Sequence, residues 1–219
     1  MSTPLLIIGA GGFSLEAIWI AQAMNAAKTA SWELVGLADE QVASGKQMGG
    51  FRVIGTPTEA AEQLPENCAF HVAIGNNEVR LRLAEECVGL GMSPASLISP
   101  RAEIAPDAQI GSGCFIGHFA SIAPETVIEE QALINMHAVV GHEAFIGAGA
   151  QLCPGAVVTG RCRVGKGAFL GSNAVLQPCV SVGDWARISA NTFAATDVEP
   201  GVTLATMPGR PVFARKRKG

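Results

Sequence analysis

The chain has 219 residues, 48% of them hydrophobic and 16% charged, with a net charge of −4 and no tyrosine. That length holds one large domain or two modest ones, and that charge excludes the broad basic field that draws a protein body to nucleic acid. No apolar run approaches a membrane span, the first residues lack the segments of a secretory leader, and the six cysteines show neither CxxC spacing nor a compact disulfide framework. These features predict a cytoplasmic protein with reduced thiols and no nucleic-acid or membrane partner.

Leu5, Leu6, Ile7 and Ile8 make a short continuous apolar run, which predicts a buried strand. Gly9-Ala10-Gly11-Gly12 ends it, and Leu15, Ile18, Trp19 and Ala23 then recur at helical spacing. Residues 34–38, 51–54 and 70–74 read as further strands. Thr56-Pro57 opens a helix over residues 58–64, and Gly91 closes another over residues 78–90. Strands alternating with helices predict a small Rossmann-like parallel α/β domain over residues 1–96, with ligands beyond the carboxyl ends of its strands.

After Leu97 an aliphatic residue falls on every sixth position from Ile98 to Ile188 without a gap, sixteen in all. Four residues after each comes a small one, alanine in eleven cases and otherwise Cys114, Cys162, Thr126, Thr192 or Val180. The small residue and the next aliphatic one are two apart, so both face inward along one short strand. The second to fourth places carry the chain round a corner, where Gly111, Gly117, Gly141, Gly147, Gly165, Gly171 and Gly183 fall. Three sides close a triangular coil of about 18 residues, which predicts a parallel β-helix of about five coils over residues 97–195 and a tail over 196–219. Cys114 and Cys162 are then core filler, whereas Cys153 and Cys179 have no base placed beside them by the repeat.

GAGGFS is a partial dinucleotide fingerprint, and a domain of about 95 residues is short for a full dinucleotide fold. A glycine turn at a helix N-terminus still permits close backbone approach to an anion. Asp39 and Glu40, ending the second strand, can accept from ribose hydroxyls or a base edge, or can form a solvated turn. Arg80 reads as a surface charge. The basic run Arg215, Lys216, Arg217 and Lys218 is either a solvated tail or a cluster that neutralises a phosphate.

Four stretches carry a resemblance: IIGAGGF at 7–13, VGLADE at 35–40, AIGNNEVR at 73–80 and INMHAVVGHE at 134–143. With the repeat, they make the chain similar to the hexapeptide-repeat, left-handed β-helix sugar O-/N-acetyltransferases that carry an N-terminal Rossmann-like domain. These include acetyltransferases of nucleotide-linked amino sugars and sialic acid O-acetyltransferase relatives. The resemblance implies a homotrimer, acetyl-CoA as donor without a metal, clefts between neighbouring β-helices as active sites, and a place in surface polysaccharide biosynthesis. It implies His142 as general base, Glu143 as its partner and Asn135 as a substrate contact, and it carries acetyl-CoA contacts onto Gln151, Ser172 and Ala190. Gly160 lies one coil after His142 and is the expected backbone donor to an oxyanion or to the pantetheine arm. Gly11, Gly12, Phe13, Asp39, Glu40, Gly75, Asn76 and Asn77 are the expected contacts of the nucleotide sugar. Phe13 and Gln151 stand where many relatives carry histidine.

The acceptor expected from the resemblance is the amine of a nucleotide-linked amino sugar, with sialic acid hydroxyls as the alternative. Two other classes remain: a γ-carbonic-anhydrase-like metalloenzyme built on His118, His137 and His142, and a non-catalytic binding module. Metal ligands at a subunit edge should recur at multiples of 18, and His118 and His142 do not, which places them on different sides of the prism.

Overall fold

The computed structural model describes residues 2–65 and 67–207; the basic run at 215–218 lies outside the described residues. The first domain runs β1 (Thr3–Ile8), α1 (Gly12–Ala26), β2 (Trp32–Ala38), β3 (Gln47–Met48), β4 (Phe51–Arg52), α2 (Pro57–Gln63), β5 (Ala69–Val72), α3 (Asn77–Gly89) and β6 (Ser93–Pro94). β2, β1, β5 and β6 form one parallel sheet in that order. β1 is central, and Leu5, Leu6, Ile7 and Ile8 are buried on both faces, as an unalternating apolar run requires. α2 starts where Thr56 and Glu59 form a reciprocal capping box. The expected strand at 51–54 is instead a two-residue antiparallel partner of β3, with Val53 alone bridging Leu37.

From Leu97 to Leu204 the chain is a triangular parallel β-helix whose three faces hold seven, six and five strands. Face I begins at Leu97–Ile98, face II at Glu103–Ile104 and face III at Gln109–Ile110. Each strand pairs with the one 18 residues on, as in Phe115↔Leu133 and Val139↔Val157. This makes about six coils rather than five. The count fell short because the last coil has only sixteen residues, Ile188 pairing Leu204, and so leaves the six-residue rhythm. From Cys114 to Ile188 the inward columns are buried, Ala138, Val140, Ala144, Ile146, Ala150 and Leu152 among them, while those of the first coil are partly open. Each large aliphatic side chain there contributes about 1.5–3 kcal/mol of burial.

The corners follow a rule that the glycine pattern only partly announced. Left-handed backbone occurs at the fourth place, at Phe119, Glu125, Gln131, His137, Glu143 and onward to Asn191. Second-place glycines serve another purpose. A Cβ on Gly141 would stand 2.6 Å from the Gly160 nitrogen, and one on Gly117 2.7 Å from that of Met136. Successive coils approach too closely there for any side chain.

The first domain lies on face I. Leu97, Phe115 and Leu133, outward on that face, are buried in one core with α1 and β1. Arg80 is the clamp, and the expectation of a surface charge is wrong: it is 2% exposed. Its guanidinium donates to the carbonyls of Gln131 (3.0 Å), Gly149 (2.7 Å) and Ile74 (2.9 Å) and to Asn77 Oδ1 (3.1 Å). Burial lowers its pKa to about 10. A cation without a carboxylate is tolerated because four oxygens replace its water.

Candidate active site

His142 and Glu143 are the third and fourth residues of the unit opened by Val140, at the corner between faces II and III, and both are exposed. His142 Nδ1 lies 2.9 Å from Glu143 Oε1, so the carboxylate selects the tautomer with the proton on Nδ1 and leaves Nε2 as a free base. The ring lies over Gly160 of the next coil, where a Cβ would stand 2.5 Å from Nε2 and 2.8 Å from Cε1. Glycine at 160 therefore makes room for the imidazole. The Gly160 N–H has no acceptor among the described residues. Arg161, one coil after Glu143 at the same corner, brings Nε to 3.9 Å from Glu143 Oε1. Sequence reasoning missed this residue, although its offset of one coil was readable.

The other expected residues are distributed over the prism. Asn135 is at the corner between faces I and II, 9% exposed, with Oδ1 accepting from the Met136 N–H at 2.7 Å. Ser172 and Ala190 stand one above the other at that same corner. Gln151 is outward on face I, buried, with Nε2 3.6 Å from Cys153 Sγ and Oε1 without a partner. Within one chain, then, the His142 corner and the corner holding Asn135, Ser172 and Ala190 lie at opposite edges of face II. His118 stands at the Asn135 corner, three coils before Ser172, but is buried against the first domain: its Nδ1 meets Ser99 Oγ at 2.5 Å and its ring packs edge-on against Trp19. Among the described residues no three His, Cys, Asp or Glu side chains converge as a ligand set.

At the carboxyl ends of β1, β2 and β5 a pocket of about 230 Å³ is lined by Gly9, Ala38, Asp39, Glu40, Gln41 and Ile74. Asp39 is already engaged: Oδ2 accepts from the Ala10 N–H at 2.7 Å, and Oδ1 from those of Gln41 and Val42. Its carboxylate thus ties the glycine turn to the end of β2. Glu40 pairs with Arg82 at 2.6 Å. Gly11, Gly12 and Gly75 have ordinary φ and open space where a side chain would be, so the fold itself does not demand glycine at any of the three. Gly11 caps α1 without any side-chain hydrogen bond, leaving that helix end free to meet an anion. Phe13 turns inward and packs edge-on against Phe115 at 4.9 Å.

Asn77 departs from its expected part. Its amide nitrogen donates to the Gly167 and Ala168 carbonyls and its oxygen accepts from Arg80, so both ends hold the domain seam. Asn76 caps α3 through Val79 N–H and, with Gly75, Glu78, Phe169, Trp185 and Arg187, lines a cavity of about 310 Å³ at that seam.

Comparison with known proteins agrees with this layout. Residues 4–87 match the PglD N-terminal domain, and residues 161–193 match the hexapeptide repeat of succinyl-transferase. The chain is 29% identical over 117 residues to GDP-perosamine N-acetyltransferase of Escherichia coli O157:H7, a match that takes in 53% of this chain and 52% of that relative, about half its length. Among solved structures, PerB from Caulobacter crescentus in complex with CoA and GDP-perosamine superposes with a TM-score of 0.82 at 26% identity, covering 94% of this chain and 96% of that one. The acetyltransferase domain of PglB from Neisseria gonorrhoeae FA1090 in complex with acetyl coenzyme A gives 0.84 at 27% identity, covering 97% and 100%. Over nearly its whole length the chain is thus similar to sugar acetyltransferases that join a PglD-type N-terminal domain to a hexapeptide-repeat β-helix.

Proposed function

We propose that the protein transfers the acetyl group of acetyl-CoA directly to the amino group of a nucleotide-linked amino sugar, with His142 as general base. The observation that carries this reading is the stacking of His142 Nε2 against Gly160, with Nδ1 held by Glu143. A free imidazole nitrogen is suited to take a proton from an attacking amine near neutral pH. The amine nitrogen bonds to the thioester carbonyl carbon as Nε2 accepts its proton. The Gly160 N–H donates to the developing oxyanion, the C–S bond breaks, and the departing thiolate takes the proton back from the imidazolium. Glu143 stabilises the imidazolium between these steps.

The nucleotide occupies the pocket bounded by Gly9, Asp39 and Glu40, with its diphosphate at the α1 N-terminus, where Gly11 and Gly12 leave the backbone bare. The relatives solved with CoA and GDP-perosamine or with acetyl coenzyme A support this class of acceptor and this donor.

The working unit is a homotrimer with face II toward the threefold axis. Val139, Val157, Val175 and Phe193 form an outward apolar column on that face, with Val139 38% and Phe193 58% exposed in the single chain. Closing three copies around it brings the His142–Gly160 corner of one against the Asn135–Ser172–Ala190 corner of the next. Candidate residues split across two corners then form one cleft. All six thiols are free, which suits the cytoplasm, where activated sugars and acetyl-CoA are found.

The test follows thiol release from acetyl-CoA against nucleotide-linked 3-amino and 4-amino sugars and sialic acid, for wild type and His142→Ala. Release with an amino sugar, abolished by the substitution, is the expected result. Release with sialic acid alone would transfer the reading to a hydroxyl acceptor, and an unaffected His142→Ala would remove the base.

A further inference from the structure

We propose that His137 of one copy is a positioning residue for Glu143 of its neighbour. The inference rests on the trimer reading above and adds to it a residue that the single chain leaves without a task.

Arg101, Phe119 and His137 occupy the same place on three successive coils, at the corner between faces I and II, and they stack. The Arg101 guanidinium carbon is 5.9 Å from the Phe119 ring centroid, and the Phe119 and His137 rings are nearly parallel with centroids 5.1 Å apart. Phe119 is 53% exposed, and it and His137 both hold left-handed backbone, at φ 60° and 58°. A half-solvated aromatic ring on such a backbone gains nothing for an isolated chain. Trp19 extends the same patch from α1 and is also exposed.

The matching column at the corner between faces II and III is acidic: Asp107, Glu125 and Glu143. Coil by coil, Arg101 is level with Asp107, Phe119 with Glu125, and His137 with Glu143, because each pair sits six residues apart in one turn of the helix. When face II of each copy points to the threefold axis, these two columns meet across every interface. A cationic and aromatic edge then faces an acidic one.

Glu143 has capacity for this contact. Its Oε1 accepts from His142 of the same chain and has Arg161 Nε at 3.9 Å, while its Oε2 has no hydrogen-bond partner among the described residues. A ring N–H of the neighbour's imidazole donating to Oε2 fixes the plane of the carboxylate. Oε1 then stays aimed at His142 Nδ1. The stack on Phe119 supplies the rigidity that such an aim needs.

The experiment is subunit complementation. His137→Ala should remain trimeric by sedimentation, with kcat lowered about tenfold and KM for both substrates unchanged, the signature of a contact that matters in the transition state. His137→Asn, which keeps a donor and tolerates the left-handed corner, should retain most of kcat; a loss equal to that of alanine counts against the proposal. Co-expression of His137→Ala with an excess of His142→Ala then decides it. Each intact His142 faces an intact His137 from the neighbouring copy, and kcat per intact His142 should rise several-fold toward wild type. No rise overturns the proposal. An active His142→Ala homotrimer would instead sink the catalytic reading, and a wild type that sediments as a monomer would sink the trimer.

Discussion

The imidazole of His142 lies over the α-carbon of Gly160, one coil on, so closely that a methyl group at 160 would stand 2.5 Å from Nε2. One residue thereby leaves room for the imidazole and presents a free N–H beside it.

Gly160→Ala should displace the ring and lower kcat about 100-fold with little change in thermal stability, read by thiol release and by calorimetry. Gly141→Ala should do the reverse in kind. Its Cβ would meet the backbone of Gly160 at 2.6 Å, which neither coil can relieve, so loss of stability dominates.

Gly12→Ala adds a methyl group where nothing lies within 4 Å, at an ordinary φ. The melting temperature should be unchanged or slightly raised. KM for the nucleotide sugar should rise about tenfold or more if the backbone there touches the diphosphate. An unchanged KM would clear this turn of any role in binding.

Arg80→Leu leaves the carbonyls of Ile74, Gln131 and Gly149 buried without their donor. Loss of about 3 kcal/mol or more is expected by denaturant titration. The loop that carries Gly75 and Asn76 should become susceptible to proteolysis before the β-helix does.

His71 is fully buried, and burial lowers its pKa to about 4 from an ordinary 6.5. Below 6.5 the unfolded chain binds a proton that the folded one refuses, so stability falls as pH drops from 6.5 toward 4 and is fully present above that window. The loss approaches about 3 kcal/mol at its lower end. His71→Asn, which retains a donor for the Ala95 carbonyl, should flatten that slope in denaturant titrations at pH 7 and pH 4.5.

Phe193 is 58% exposed and ends the apolar column of face II. Val157→Glu and Phe193→Glu should lower the sedimenting mass to that of one chain and abolish thiol release while the far-ultraviolet circular dichroism is kept. A variant that remains trimeric and active would mean that face II is not the interface.

The β-helix was legible residue by residue, since a strand buries every second side chain and a triangular coil repeats that demand every six residues. Ile134, Val140 and Ile146 could therefore be placed inward, and His142 outward at a corner, before any coordinates. The last coil was not, because its sixteen-residue turn breaks the period on which the reading depended. Arg80 was also misread. Nothing local in NNEVR distinguishes a solvated guanidinium from one that faces two carbonyls of another domain.

Local chemistry along the chain thus determined the two architectures and the short list of reactive side chains, because periodicity and glycine placement are properties of neighbours in sequence. Tertiary structure alone decided which members of that list meet. It engaged Asn77 and Asp39 in the scaffold and buried Arg80 at the domain seam. Those outcomes depend on where one domain rests upon another, and contacts between the two domains leave no periodic trace in the chain.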